Sequence, residues 1–134
     1  MPSRGGVKLV VAAGLLLVVF SYTASSTTLY KITSDPPGQL QDALDKVGPG
    51  DSIELADGDY REEVVTKKSG EPGNYITIRG SSYRAVLKGE EDGSSHIFDL
   101  QHSYYHLDRF TIDGYQGDEV YADKCLYVQT NRDR

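Results

Sequence analysis

The feature that most constrains this fold is a change of parity among the apolar residues near the end of the chain. Tyr105 and Leu107 are apolar at odd positions, whereas Phe110 and Ile112 are apolar at even positions. Because side chains alternate between the two faces of a β-strand, the backbone must bend or slip by one residue between these pairs. The polar Asp108-Arg109 at the break suits a tight corner.

Another short strand precedes this corner. Ile97–Leu100 is an apolar run, which the polar Gln101–Ser103 separates from the next strand, and Gly114 closes the segment. Three short strands joined by polar corners are what one coil of a parallel β-helix would look like.

Further short strands are spaced along the preceding chain. They are predicted at Thr28–Thr33, Ser52–Leu55, Glu63–Lys67, Tyr75–Gly80 and Ala85–Gly89, with a turn at 56–60 and a loop at 69–74. Within the fourth, Ile76 and Ile78 should face inward and Thr77 and Arg79 outward. Ile53, Ile76 and Ile97 are 23 and 21 residues apart, a spacing typical of a solenoid repeat.

The rival all-β interpretation is a sandwich of antiparallel hairpins, which also gives short strands at regular intervals. Two-residue Asn-Gly or Asp-Gly loops between matched strands are scarce in this chain, which favours the solenoid. An α/β sheet is disfavoured because no helices connect the strands.

One helix is predicted, directly after the first strand. Its apolar residues fall at i, i+3, i+4 and i+7 and form one stripe about three turns long: Leu40, Ala43, Leu44 and Val47. Gly48 and Pro49 should end it. A single apolar stripe followed only by strands predicts a lid over the first coil.

The start of this helix also has a sequence signal. Asp35 is expected to cap the free N–H groups of the first turn, and Pro36-Pro37 is tolerated there. Gln41 lies off the apolar stripe and is predicted on the solvent side.

The N-terminus is a separate segment. Arg4 and Lys8 make a basic start, residues 9–22 are almost continuously apolar, and small residues follow at 23–26. This order is typical of a secretory signal peptide cleaved between Ala24 and Ser26. We therefore predict a signal peptide at 1–25, a β-helix segment at 26–134 and a mature chain that begins near Ser25.

Secretion follows from this prediction. The apolar run of 14 residues is shorter than the roughly 20 needed to cross a bilayer, so no stable membrane insertion is expected after cleavage; an uncleaved signal anchor is the alternative. Loss of Arg4 and Lys8 changes the formal net charge from −6 to −8. This acidity and the lack of a basic stripe argue against nucleic acid as a partner. Cys125, alone in an oxidising compartment, suggests a buried thiol or an external partner.

Three stretches resemble a known family: GQLQDALDKVGPGDSIELADGDY at 38–60, YITIRG at 75–80 and YYHLDRFTIDG at 104–114. They are similar to the opening coils of secreted right-handed parallel β-helix proteins of the pectate-lyase-like superfamily, above all the chondroitinase-B-like and alginate-lyase-like enzymes of polysaccharide lyase family six. The resemblance covers about residues 35–130. It implies an all-β parallel β-helix with an N-terminal capping helix.

The resemblance also implies a function. In lyases of this family the catalytic Lys and Arg and the calcium-binding acids lie on later coils, so no catalytic or cofactor-binding residue is carried over, and calcium is implied only for a full-length form. We expect a domain truncated at its C-terminus, from a protein that acts on or binds an acidic extracellular polysaccharide. The alternative is a non-catalytic carbohydrate-binding or structural β-helix of the cell surface or matrix.

Two groups of residues offer metal ligands. His102, His106 and Asp108 share one strand parity and could place zinc ligands on one face, although polar residues on a solvent face give the same pattern. A calcium site would draw on acidic residues, which on an acidic surface are more often solvated: Asp57, Asp59, Glu90, Glu91 and Asp92.

Two further groups suit a glycan. A groove for an anionic sugar chain would use cationic side chains, and these are equally explained as surface charge: Lys67, Lys68, Arg79, Arg84 and Lys88. Stacking on sugar rings would use tyrosines, which are common on β surfaces in any case: Tyr83, Tyr104, Tyr105 and Tyr115.

Overall fold

The computed structural model describes residues 26–88, 96–114 and 124–129. The predictions for the signal peptide, for Glu90–Asp92 and for Tyr115 lie outside these residues. The described part is a mostly β structure, a parallel solenoid of about three turns with one short helix. Its elements are β1 (Leu29–Ile32), α1 (Gln39–Lys46), β2 (Ser52–Leu55), β3 (Gly58–Tyr60), β4 (Val64–Val65), β5 (Ile76–Gly80), β6 (Ala85–Leu87), β7 (His96–Leu100), β8 (Tyr105–Asp108), β9 (Thr111–Ile112) and β10 (Lys124–Val128).

The strands form three sheets that the chain visits in turn. Sheet A has the order β1-β2-β5-β8, sheet B the order β3-β6-β9 and sheet C the order β4-β7-β10. Each strand pairs in parallel with the strand of the same sheet in the next coil. Among the described residues the antiparallel pairing is an isolated bridge between Glu71 and Asn74. The solenoid prediction is confirmed over the antiparallel sandwich.

The corner predicted from the parity change is confirmed. β8 lies in sheet A and β9 in sheet B, and Arg109 between them has a φ of 56°. β7, directly before, lies in sheet C. These strands belong to successive faces of the solenoid, as the sequence indicated.

The predicted repeat length was wrong. Ile53 pairs with Ile78, 25 residues later, and Ile78 pairs with Leu107, 29 residues later. Ile76 instead lies beside Tyr105, and Ile97 belongs to sheet C. The spacing from Ile76 to Ile97 joined two different sheets, because each coil contains three strands and corners of unequal length.

The second corner was also misread. Residues 56–60 were predicted as a turn, but β3 occupies Gly58–Tyr60 and the ring of Tyr60 is fully buried. Tyr60 lies opposite Leu87 in the next coil, and its hydroxyl donates to the Ala56 carbonyl oxygen at 2.8 Å. Burial of this ring selects a strand over a turn. β4, in contrast, is shorter than the predicted Glu63–Lys67.

The core is built from columns of inward side chains that are equivalent in successive coils. Ile76 and Ile78 are buried while Thr77 and Arg79 face outward, as predicted. Full burial of such an aliphatic side chain stabilises a fold by about 1.5–3 kcal/mol. The columns are Tyr30–Ile53–Ile78–Leu107 in sheet A, Tyr60–Leu87–Ile112 in sheet B and Val64–Phe98–Leu126 in sheet C.

The predicted lid is confirmed. α1 contacts β1 and β4, and its four stripe residues are buried in the same core cluster as the first coil. Among the described residues no helix is both long enough and apolar enough to span a membrane.

The predicted cap of this helix was wrong. The helix begins at Gln39, after the proline pair, and Gly38 takes the N-cap position with a φ of 98°. The cap is Glu62, a carboxylate only 5% exposed, which accepts hydrogen bonds from the N–H groups of Gly38 and Gln41, both at 2.8 Å. A carboxylate there satisfies free N–H groups and favours the positive end of the helix dipole. Asp35 remains exposed.

Gln41 was also misplaced by the sequence. Its amide nitrogen donates to the Val65 carbonyl oxygen at 3.1 Å, and its amide oxygen accepts from the Val65 N–H at 2.9 Å. Gln41 is therefore half-buried and satisfies the outer edge of β4 as a neighbouring strand would. The helix faces solvent at Asp42, Asp45 and Lys46 instead.

Candidate functional site on the outer face of sheet A

The outer face of sheet A carries three rows of equivalent residues. The parallel register aligns Ser52 with Thr77 and His106, two residues before the alignment of Glu54 with Arg79 and Asp108. We call these the hydroxyl row (Ser52, Thr77, His106) and the charged row (Lys31, Glu54, Arg79, Asp108), Lys31 being aligned with Glu54. The aromatic row (Tyr75, Tyr104) extends the same register by one residue before the pair of Ile76 and Tyr105.

The spacing of the rows follows from strand geometry. Every second residue of a strand points to the same face, and adjacent strands lie about 4.8 Å apart. Three rows at two-residue intervals therefore form an array that runs along the solenoid axis and repeats once per coil.

The aromatic row is an exposed platform. The rings of Tyr75 and Tyr104 are 5.8 Å apart between centroids and inclined by 37°, and the two residues are 50% and 42% exposed. Tyr104 has a φ of 61°. Its carbonyl oxygen lies so close to Gly70 that a Cβ there would come within 2.5 Å. Gly70 thus lets the third coil settle against the second and positions Tyr104 over Tyr75.

A groove adjoins this platform. It consists of two cavities of about 260 and 510 Å³ that share Thr27 and Thr77 as lining residues. The smaller is also bordered by Ser52 and reaches the charged row, whereas the larger is bordered by Asn74 and Tyr75. Hydroxyl and amide groups, each able to donate and accept hydrogen bonds, border a surface that ends at the aromatic platform.

The charged row is organised by one ion pair. Nε of Arg79 donates to Oδ2 of Asp108 at 3.1 Å, and the two side chains are 52% and 35% exposed. A pair this exposed adds at most about 1 kcal/mol to stability. Its consequence is orientation, because Asp108 fixes the guanidinium against the sheet.

The predicted zinc ligands are not assembled. His102 lies outside β8, and its Nδ1 is 2.8 Å from the hydroxyl of the buried Thr66. Asp108 is engaged by Arg79. In the described ranges no three His, Cys, Asp or Glu side chains are grouped to hold a metal ion.

The described acids of the predicted calcium site are separately engaged. Asp57 accepts hydrogen bonds from Ser82 at 2.6 Å and Ser81 at 2.9 Å, and these bonds hold the pKa of its carboxyl below the usual value. Asp59 pairs with Lys88 at 3.0 Å on sheet B.

The five predicted cationic residues do not form one groove. Arg79 lies on sheet A, Lys88 follows β6 on sheet B, and Arg84 precedes β6. Lys67 and Lys68 follow β4 of sheet C. Of these five, Arg79 alone borders the groove described above.

The predicted tyrosines divide into separate environments. Tyr104 lies in the aromatic row, and Tyr83 is 71% exposed in the corner before β6. Tyr105 points inward, where its hydroxyl donates to the Lys68 carbonyl oxygen at 2.7 Å and burial raises its pKa to about 12. Tyr75 was missed, although the alternation of YITIRG already placed it on the same face as Thr77.

Cys125 is exposed on β10 rather than buried. Comparisons with protein-family models, curated proteins and solved structures found no match. The parallel β-solenoid is therefore established by the structure, whereas the pectate-lyase-like resemblance rests on the sequence motifs.

Proposed function

We propose that this protein is a secreted β-solenoid that binds extracellular polysaccharide through the outer face of sheet A. The observation that carries the proposal is the exposed platform of Tyr75 and Tyr104 beside a groove bordered by hydroxyl groups. Aromatic rings offer an apolar face against which the C–H face of a sugar ring packs, and the tyrosine hydroxyl adds a polar edge. Ser52 and Thr77 supply both donors and acceptors for sugar hydroxyls.

The direction of a bound chain follows from the array. The three rows repeat along the solenoid axis at about 4.8 Å per coil, so successive sugars that lie along this axis meet equivalent residues. A chain lying across the strands would cross from the aromatic row to the charged row within a few residues. We therefore propose that the polysaccharide lies along the axis.

Binding rather than cleavage is the role that we propose for these coils. A lyase needs a neutraliser for the uronate carboxylate, a base and an acid. Arg79, which borders the groove, is already engaged by Asp108. Catalysis belongs to the larger lyase that the resemblance implies, and we expect no turnover from this chain.

The proposal is tested by isothermal titration of the mature protein with a panel of oligosaccharides. We expect binding to at least one glycan, weakened several-fold to about tenfold by Tyr75→Ala or Tyr104→Ala, since an aromatic contact contributes about 0.5–1.5 kcal/mol. Tyr83→Ala is the matched control because this tyrosine is exposed on a different face. Equal loss with Tyr83→Ala, or no binding to any glycan, would overturn the proposal.

Turnover is followed in the same samples. Formation of an unsaturated uronate product raises ultraviolet absorbance, and we expect no rise with alginate, pectate or chondroitin sulfate. A clear rise would show that the described coils themselves are catalytic.

A further inference from the structure

The groove on sheet A carries balanced charge. The charged row alternates in sign, with Lys31, Glu54, Arg79 and Asp108 on successive strands. The charged residues that line the two cavities, within the described part of the chain, are one acid and one base, Glu54 and Arg79. The site therefore has no net positive charge to attract an anion.

The one cation in the groove is also poorly placed to recognise a carboxylate. Arg79 already donates through Nε to Asp108, so one edge of its planar fork is occupied. Glu54 lies on the adjacent strand at the paired position, about 4.8 Å away along the sheet. A uronate carboxylate near Arg79 would also lie near Glu54, and the attraction to one would be offset by the repulsion from the other.

The remaining charges act in the same direction. The chain has a formal net charge of −6, which disfavours approach of an anionic polymer. Lys88 is paired with Asp59 on another sheet. The surfaces that do suit a ligand here, the tyrosine platform and the hydroxyl row, make contacts that need no charge on the sugar.

We infer that the glycan bound at this site is uncharged where it contacts sheet A, rather than the acidic polymer that the sequence resemblance implies. The inference rests on the proposed function and names the ligand class of the same site. A neutral pyranose satisfies the aromatic and hydroxyl rows, and it brings no carboxylate to be desolvated beside Glu54.

The experiment compares two ligands that differ only in charge. Oligogalacturonates of one length are prepared fully methyl-esterified and fully de-esterified, and neutral cello-, manno- and xylo-oligosaccharides are added as further uncharged probes. Isothermal titration is run at low and at physiological salt. We expect at least one uncharged ligand to bind ten times or more tighter than the de-esterified uronate, with an affinity that salt leaves unchanged, because salt screens only charge–charge interactions.

A variant sharpens the test. Glu54→Gln removes the acid from the groove and should narrow the preference for the uncharged ligand by raising the affinity for the uronate. Tighter binding of the uronate by the parent protein, weakened by salt, would overturn this inference while leaving the proposed function intact. Failure of every glycan to bind would overturn both.

Discussion

The two faces of sheet A are built from the same strands and do different work. On the inner face Ile53 and Ile78 are fully buried and form one column of the core. On the outer face Ser52, Thr77 and Arg79 form rows that border a groove. The inner face needs only that apolar residues alternate along each strand, whereas the outer face needs particular residues to be aligned between coils.

This difference separates stability from recognition. Substitutions on the inner face should change the free energy of unfolding, and those on the outer face should change ligand affinity with little effect on folding. The predictions below test where this division holds.

The largest effect is expected where the inner surface meets the helix. Leu44→Asp places an unpaired carboxylate in the core, where Leu44 is fully buried, and should cost several kcal/mol. Mature protein with this change should aggregate or lose its cooperative thermal transition. Lys46→Asp inserts the same residue at an exposed position of the same helix and should cost at most about 1 kcal/mol through the helix dipole. Equal melting of both variants and the parent would show that α1 is not a lid.

The second prediction contrasts neighbouring residues of β5. Ile78→Ala should lower the free energy of unfolding by about 2–5 kcal/mol because it leaves a cavity in the core. Thr77→Ala, one residue away on the outer face, should change it by no more than about 0.5 kcal/mol. Chemical denaturation measures both. Similar losses in the two variants would contradict the division between the faces.

The inner face is the part that the sequence could predict. The alternation in YITIRG, the parity change after Leu107 and the helical stripe around Leu44 are local patterns, and burial of apolar surface enforces each of them. Each is found in the structure as predicted.

The outer face could not be predicted because it depends on register between coils. Tyr60 and Leu87 are paired at a separation of 27 residues, whereas Val64 and Phe98 are paired at 34. Corners of unequal length leave no fixed period, so the alignment of Tyr75 with Tyr104 has no local signal. The Glu62 cap was missed for the same reason, since it joins residues more than 20 positions apart.

The third prediction concerns this cap. Glu62→Ala leaves two buried N–H groups at the start of α1 without their acceptor and should cost about 1–3 kcal/mol. Glu62→Gln keeps one acceptor oxygen and should cost less. Arg61→Ala, at the exposed neighbouring position, should be nearly silent in the same thermal melts. A silent Glu62→Ala would mean that water replaces the carboxylate.

The fourth and smallest effect on stability is expected in alkaline solution. Burial raises the pKa of Tyr60 and of Tyr105 to about 12, against an ordinary value near 10. Since the folded state disfavours the phenolate, the stability contributed by these groups is complete below about pH 10 and is lost as the pH rises toward 12. The loss should be about 1 kcal/mol per tyrosine, because solvent screens part of the shift. Melting temperatures between about pH 9 and pH 11 should fall less in Tyr60→Phe than in the parent; equal slopes would contradict the assignment.

The central claim is that sheet A binds a glycan through its outer face, and mapping of amide chemical shifts during titration tests it most directly. With the oligosaccharide that binds best, the account predicts the largest shifts at Tyr75, Thr77 and Tyr104, and little change at Tyr83 or at Val86 on sheet B. Shifts concentrated on sheet B or sheet C, with the sheet A rows unmoved, would contradict it.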